Sequence, residues 1–256
     1  MVTDFGTDDA IVLNKKYQVA QTITDGLDGA DGDFIDGKGN VYVGNYGGLN
    51  VREYATGSSS PLFTYSSGLA DPIDVTTDTK GNVYVDDYSA DNVVEFPQGS
   101  NTPSATCPTG LGNECVAVDS AGDVFVSGNN SNGTGNIVEF KKGPKGFKAT
   151  ALGATLEFAG GLQIDTKGDL VACDQDQGVD IIPKPYTSVS STITGAADTF
   201  HVALTSNNKT IYIADAATGD VLVDKFPSGT PITTLGSAQG IEIAAGVASF
   251  PFQEAK

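Results

Sequence analysis

Gly81-Asn82-Val83-Tyr84-Val85 is a short β-branched and aromatic run behind a glycine. It returns as Gly39-Asn40-Val41-Tyr42-Val43, Gly122-Asp123-Val124-Phe125-Val126 and Gly168-Asp169-Leu170-Val171-Ala172, with a degenerate copy at Lys209-Thr210-Ile211-Tyr212-Ile213. Successive copies are 42, 41, 46 and 41 residues apart. A period just above forty residues fits one four-stranded sheet per repeat, the spacing of propeller blades rather than of helical arrays.

Outward from Gly81 the whole repeat reads as strands. Pro72-Ile73-Asp74-Val75-Thr76-Thr77 precedes it as an innermost strand, and Asp78-Thr79-Lys80-Gly81 is the turn, where glycine can take a positive φ. Asn92-Val93-Val94-Glu95-Phe96 follows as a third strand and Ser104-Ala105-Thr106 as a fourth. The same Asp-x-x-Gly turn stands at Asp36, Asp119 and Asp165, and no stretch has sustained helical spacing. The two ends complete the pattern. Ala238 to Ile243 reads as a sixth innermost strand and Val247 to Phe252 as its partner, while Ala10 to Lys15 and Tyr17 to Ile23 read as third and fourth strands. The expected fold is all-β: one six-bladed propeller over residues 1–256, with five continuous blades and a sixth built from about 1–25 and 236–256. Closing the ring in this way pairs the last free strand edges.

The run from Pro72 to Asp78, Gly81 to Asp86 and Asn92 to Phe96 resembles NHL repeats and the related lactonase and streptogramin-lyase-like propellers. The likeness covers nearly the whole chain, but these residues mark blades and not chemistry. Such propellers include interaction scaffolds, lactonases and lyases, so the resemblance implies a fold without choosing an activity. Lactonase-type relatives hold a metal with Glu, Asn and Asp at channel positions. Asp31 and Glu114 match such places, and no matching Asn is evident. The lyases and amidating lyases rely on several histidines, and this chain has one.

Thirty-two acidic against 14 basic residues give a formal charge of -18, which opposes nucleic acid and anionic membrane surfaces as partners. No run of about 18 apolar residues exists, so no membrane span is expected. Abundant Gly, Ser, Thr and Asn with few lysines lean toward an extracytoplasmic protein, secreted, periplasmic or surface-associated, and toward a bacterial source. The chain is expected to be a monomer. Cys107 and Cys115 flank a short Pro-Thr-Gly-Leu-Gly connection that could let them form a disulfide, whereas Cys173 reads as a small buried residue. Lys141, Lys142, Lys145 and Lys148 form a local basic patch in what reads as an extended polar loop.

Chemistry in such a ring belongs at the channel mouth, where the innermost strands converge. Counting back from the turn positions places Asp31, Ile73, Glu114, Gly160, His201 and Gln239 around the axis, with Gln239 expected to line the channel. Asp31, Glu114 and His201 on alternate blades could hold a divalent cation such as Ca, Mg or Zn, and His201 could serve as a general base. By contrast, Asn45, Asp87, Asp174 and Asp215 recur after each second strand and read as turn-forming residues bonded to backbone. The leading expectation is a binding module for a small molecule or an extracellular protein. The alternative is a metal-dependent hydrolase of esters or lactones, or a lyase.

Overall fold

A computed structural model describes residues 1–144 and 146–250. They form 24 strands in six four-stranded antiparallel sheets, and among them there is no α-helix, only two 3₁₀ turns, Tyr88–Ala90 and Ser237–Gln239. Among the described residues no helix is long and apolar enough to cross a membrane. The six innermost strands are Ala30–Ile35, Pro72–Thr77, Gly112–Val118, Ala159–Ile164, Thr199–Leu204 and Ala244–Val247, on blades 1 to 6. The arrangement is a six-bladed propeller.

The repeated motif explains both the turns and the core. In the Asp-x-x-Gly turn of blade 1, Asp36 Oδ1 accepts the Lys38 and Asn40 amides, each at 2.8 Å. Gly39 sits at φ +84°, a left-handed conformation that costs a side-chain-bearing residue strain. Blade 5 lacks this glycine and puts Asn208 there at φ +52°, which is why its copy looks degenerate. Where the motif carries an aromatic residue, that ring packs onto the next blade. Tyr42 joins Val75 and Val83, Tyr84 joins Val116 and Val124, and Phe125 joins Leu162 and Leu170. All three rings are essentially inaccessible, so truncating any one to alanine removes about 3–5 kcal/mol of packing.

Blade 6 closes the ring differently from the expected two-plus-two split. Its innermost strand alone comes from the C-terminal side, Ala244–Val247, and the other three are Val2–Asp4, Asp9–Leu13 and Val19–Ile23. Val2 pairs with Val247 and Asp4 with Ala244. The region from 238 to 243, read as a strand, is instead a 3₁₀ turn and a lead-in loop, because Gly236, Gly240 and the Gln239 side chain build a local cap. Pro251 and Phe252, read as part of a second strand, lie outside the described residues.

The polar loop expected around Lys141 is a strand hairpin, Gly135–Gly143 against Gly146–Leu156. Lys142 is turned inward, 2.9 Å from Glu95 and 3.0 Å from the Tyr84 hydroxyl, so it belongs to the blade 2–3 contact and not to a free basic patch. Lys145 lies outside the described residues. All three cysteines are free and buried. Cys107, on the outer strand of blade 2, packs with Tyr84 and Val93, and Cys115 faces the channel from the innermost strand of blade 3, so the expected disulfide does not form.

Candidate functional site at the channel mouth

Every innermost strand breaks register with its neighbour near its start, between Ala30 and Asp33, Pro72 and Asp74, Asn113 and Cys115, Ala159 and Leu162, Thr199 and His201, and Ala244 and Gly246. A bulge leaves one residue unpaired and re-aims its side chain. Two consecutive residues per blade therefore address the channel instead of one. Asp31, Ile73, Glu114, Phe200 and Ala245 form the outer layer at the mouth, and Gly160, their blade 4 counterpart, adds no side chain. The inner layer is Gly32, Asp74, Cys115, Gly161, His201 and Gly246.

Asp31 and Glu114 stand where the sequence places them, at the mouth. His201 stands one residue deeper, because the blade 5 turn is one residue longer, the Thr205 amide donating to the Thr210 carbonyl where Asp36 reaches Asn40, and Phe200 takes the mouth position. Gln239 does not line the channel: its Oε1 accepts the Gly236 amide at 3.0 Å. Asp74, Cys115 and Phe200 were not singled out by sequence, since equal spacing identifies one residue per blade and a bulge presents two.

The inner layer is a closed hydrogen-bonded plug. Cys115 Sγ donates to Asp74 Oδ2 at 2.8 Å, the same oxygen accepts the Val116 amide at 2.9 Å, and the Leu162 amide donates to Cys115 Sγ at 3.1 Å. His201 Nδ1 accepts the Val247 amide at 3.3 Å, while Nε2 lies 3.4 Å from Asp74 Oδ1, a long polar contact. A ring accepting at Nδ1 carries its proton on Nε2, where it faces a carboxylate. Burial lowers the imidazole pKa, but contact with Asp74 and the charges of Asp33 and Asp31 outweigh it and hold the value above ordinary. Burial, then the Asp74 charge, keeps the Cys115 thiol well above its usual range, so it is no nucleophile. The glycines give this layer its room: a Cβ on Gly161 would lie 2.7 Å from His201 Cα.

Asp74, Cys115 and His201 are the one group of three metal-ligating side chains, among the described residues, whose ligand atoms lie within 4.8 Å of one another. Asp31, Glu114 and His201, the set expected to hold a divalent cation, do not converge in this way. A metal on the inner set would need the Nε2 lone pair, which the Val247 amide assigns to a proton.

Above the plug opens a cavity of about 440 Å³, within the range of small-molecule pockets. Its base is Asp31, Ile73, Glu114, Phe200 and Ala245, and its walls include Phe5, Tyr46, Tyr88 and Ile243. His201 is not among the lining residues. Three of the wall rings occupy equivalent places, each one residue after the last residue of a second strand. That preceding residue is an anchor: Asp87 accepts the Ala70 and Asp71 amides, both at 2.8 Å, and Asp4 accepts those of Glu242 and Ile243. Asn45 accepts the Asp28 amide in the same way, and Asp174 and Asp215 repeat the pattern on blades 4 and 5. The rim residue is then fixed through its own amide, as Tyr88 to Asp71 carbonyl at 3.0 Å and Phe5 to Ile243 carbonyl at 3.0 Å. The aromatic arc spans blades 6, 1 and 2, and Asn130, Gln175 and Ala216 take the place on blades 3 to 5.

Both pocket carboxyls are half-buried and titrate near neutrality. Burial pushes Asp31 up to about 7, with the Asp74 charge adding and His201 and the Gly32 amide opposing. Burial pushes Glu114 up to about 7 as well, with repulsion from Asp31 adding and the Asn129 amide, 3.1 Å away, opposing.

No protein-family model and no curated protein matches the chain. Solved structures do. A chain of the crystal structure of a nidogen/laminin complex superposes with a TM-score of 0.76 at 15% sequence identity, over 96% of both chains. The streptogramin B lyase structure superposes with a TM-score of 0.64 at 10% identity, over 91% of this chain and 78% of that one. At such identities the likeness is one of fold, and the NHL-like motif remains a likeness of blades.

Proposed function

We propose that the chain is a ligand-binding propeller that presents a small-molecule pocket at the mouth of its central channel. The observation that carries this reading is the cavity itself: apolar walls, two half-buried carboxyls at its base, and a rim fixed by backbone hydrogen bonds on a rigid ring. A concave, largely apolar pocket with a few convergent polar groups of perturbed pKa is the form small-molecule sites take. The fold neighbours include a component of a protein complex and a lyase, and both uses are compatible with this site. Catalysis here, as hydrolase or lyase, would draw on Asp31 and Glu114, whose pKa values suit proton transfer near neutral pH, and not on His201, which does not reach the pocket.

A second reading, docking of a protein, is favoured by the rim, where Phe5, Tyr46, Tyr88 and Ile243 are 44%, 40%, 46% and 46% exposed. Fragment screening by ligand-observed NMR separates the two. Ala245→Phe fills the base of the cavity and leaves the rim in place, so it should abolish fragment binding if the cavity is the site. Fragments that bind the wild type and Ala245→Phe equally would place recognition on the rim and sink the pocket reading.

A further inference from the structure

We propose that the ligand of this pocket is an organic cation, a primary or secondary ammonium set between the Asp31 and Glu114 carboxylates with its apolar body against Phe5, Tyr46 and Tyr88. The inference deepens the pocket reading and rests on it.

Among the described residues, the pocket lining holds two acids and no basic residue. The remaining polar lining atoms of side chains are the tyrosine hydroxyls. Two carboxyls placed in one apolar recess repel each other and lose hydration, and the structure supplies little to offset this. Around Asp31 stand Asp74 from blade 2, His201 from blade 5 and Asp33 from its own strand, so two of its three charged neighbours are acidic. Around Glu114 stand Asn129 from the adjacent strand, Asp31 from blade 1 and Asp86 from blade 2. What the recess lacks is a positive charge that can enter from the mouth. An ammonium supplies it, with N–H donors for both acids, in charge-assisted bonds roughly twice as strong as neutral ones.

The rim has the complementary character. Phe5, Tyr46 and Tyr88 place aromatic rings on one side of the opening, and a cation is attracted to the face of such a ring as it is desolvated. The formal charge of -18 draws cations toward the protein from a distance.

Binding also has a proton signature. As pH falls below 7 the two carboxyls take up protons, and a cation favours their ionised forms, so binding there expels protons and tightens as pH rises toward 8.

The test is calorimetric titration of wild type, Asp31→Asn, Glu114→Gln and Tyr88→Ala with matched probes: phenethylamine and hexylamine, their neutral alcohols phenethyl alcohol and hexanol, and phenylacetate. Titrations run at pH 6 and pH 8 in buffers of different ionisation enthalpy. The amines should bind at least about tenfold more tightly than the alcohols, phenylacetate should not bind, and affinity should rise by up to about tenfold per proton released per pH unit. Each carboxyl variant should weaken amine binding about tenfold or more and flatten the pH dependence, with a melting temperature no lower than that of the wild type. Alcohols binding as tightly as the amines would overturn the cation while leaving the pocket standing. Binding by none of the probes would overturn both. Amine binding with no proton release at pH 6, or unchanged in both carboxyl variants, would remove Asp31 and Glu114 from the site.

Discussion

Asp87 shows how much of this protein rests on single side chains. Its carboxylate, fully buried, ties the end of one strand to the loop that leads into the innermost strand of the same blade through two amides. Hydrogen bonds to a charged group are worth about 1.5–3 kcal/mol each, and removal of the acceptor strands two amides. Asp87→Ala should therefore lower the unfolding free energy by about 2–4 kcal/mol in urea titrations. The exposed Asp176→Ala should stay within about 0.5 kcal/mol of wild type. Equal, small effects of both would show that the anchors do not hold the lead-in loops. Sequence showed that these residues recur and bond to backbone. It did not show that their partners lie in the lead-in loop and not in their own turn, since that depends on two chain segments some 17 residues apart meeting at one face. It also passed over the aromatic residues that follow, although Asn45-Tyr46 and Asp87-Tyr88 carry the signal: an anchor, then a ring at the rim.

At the scale of the element, the innermost strands decide what could be read in advance. Their number, order and turns were legible, because glycine at positive φ and a paired aspartate leave a fixed spelling. The bulges were not, because an unpaired residue arises from the fit between two strands and leaves no mark of its own. This is why Asp74 and Cys115 emerge only in three dimensions, while the one-residue offset of blade 5 comes from the extra residue in its Thr205–Thr210 turn. Blade 6 departs from the expected split for a related reason: its second strand, Val2–Asp4, is three residues long and carries no copy of the repeated motif. The glycines of the inner layer can be tested as a packing device. Adding a methyl at Gly161 would set it against His201 Cα, a backbone atom that cannot swing away, so Gly161→Ala should cost about 1–3 kcal/mol. Gly57→Ala serves as a comparison free of any neighbour within 4 Å, though its φ of +75° adds about 1 kcal/mol of strain. Matching thermal unfolding of wild type and Gly161→Ala would show that the inner layer is loosely packed.

At the scale of the whole molecule, the acids of the channel give stability a pH dependence of definite sign. Asp31, Asp33 and Glu114 are each pushed up to about 7 by burial first, so the folded state holds protons that the unfolded chain releases near pH 4. Their stabilising protonation is complete below pH 4 and is lost as pH rises through 7. His201, raised by its acidic neighbours, acts in the same direction. The melting temperature should fall by about 5 °C or more between pH 5 and pH 8. Asp33 is the clearest contributor, since neither of its buried oxygens receives a hydrogen bond, and the Met1 ammonium and His201 only partly offset its burial. Asp33→Asn should raise the melting temperature at pH 8 and leave it nearly unchanged at pH 5. A profile that rises from pH 5 to pH 8 would contradict this account.

The single C-terminal strand in blade 6 governs when the ring can close as well as how. During synthesis, Val2–Asp4 leaves the ribosome some 240 residues ahead of its partner Ala244–Val247. At about 5–20 residues per second the waiting edge stays open for roughly 12–50 seconds, longer than a nascent hairpin needs to form by several orders of magnitude. Blades 1 to 5 can assemble in turn while the first three strands remain an unfinished sheet, so circularisation is the final and most non-local act of folding. A nascent chain halted before Ala244 is accordingly the species most exposed to pairing with a neighbour of its own kind.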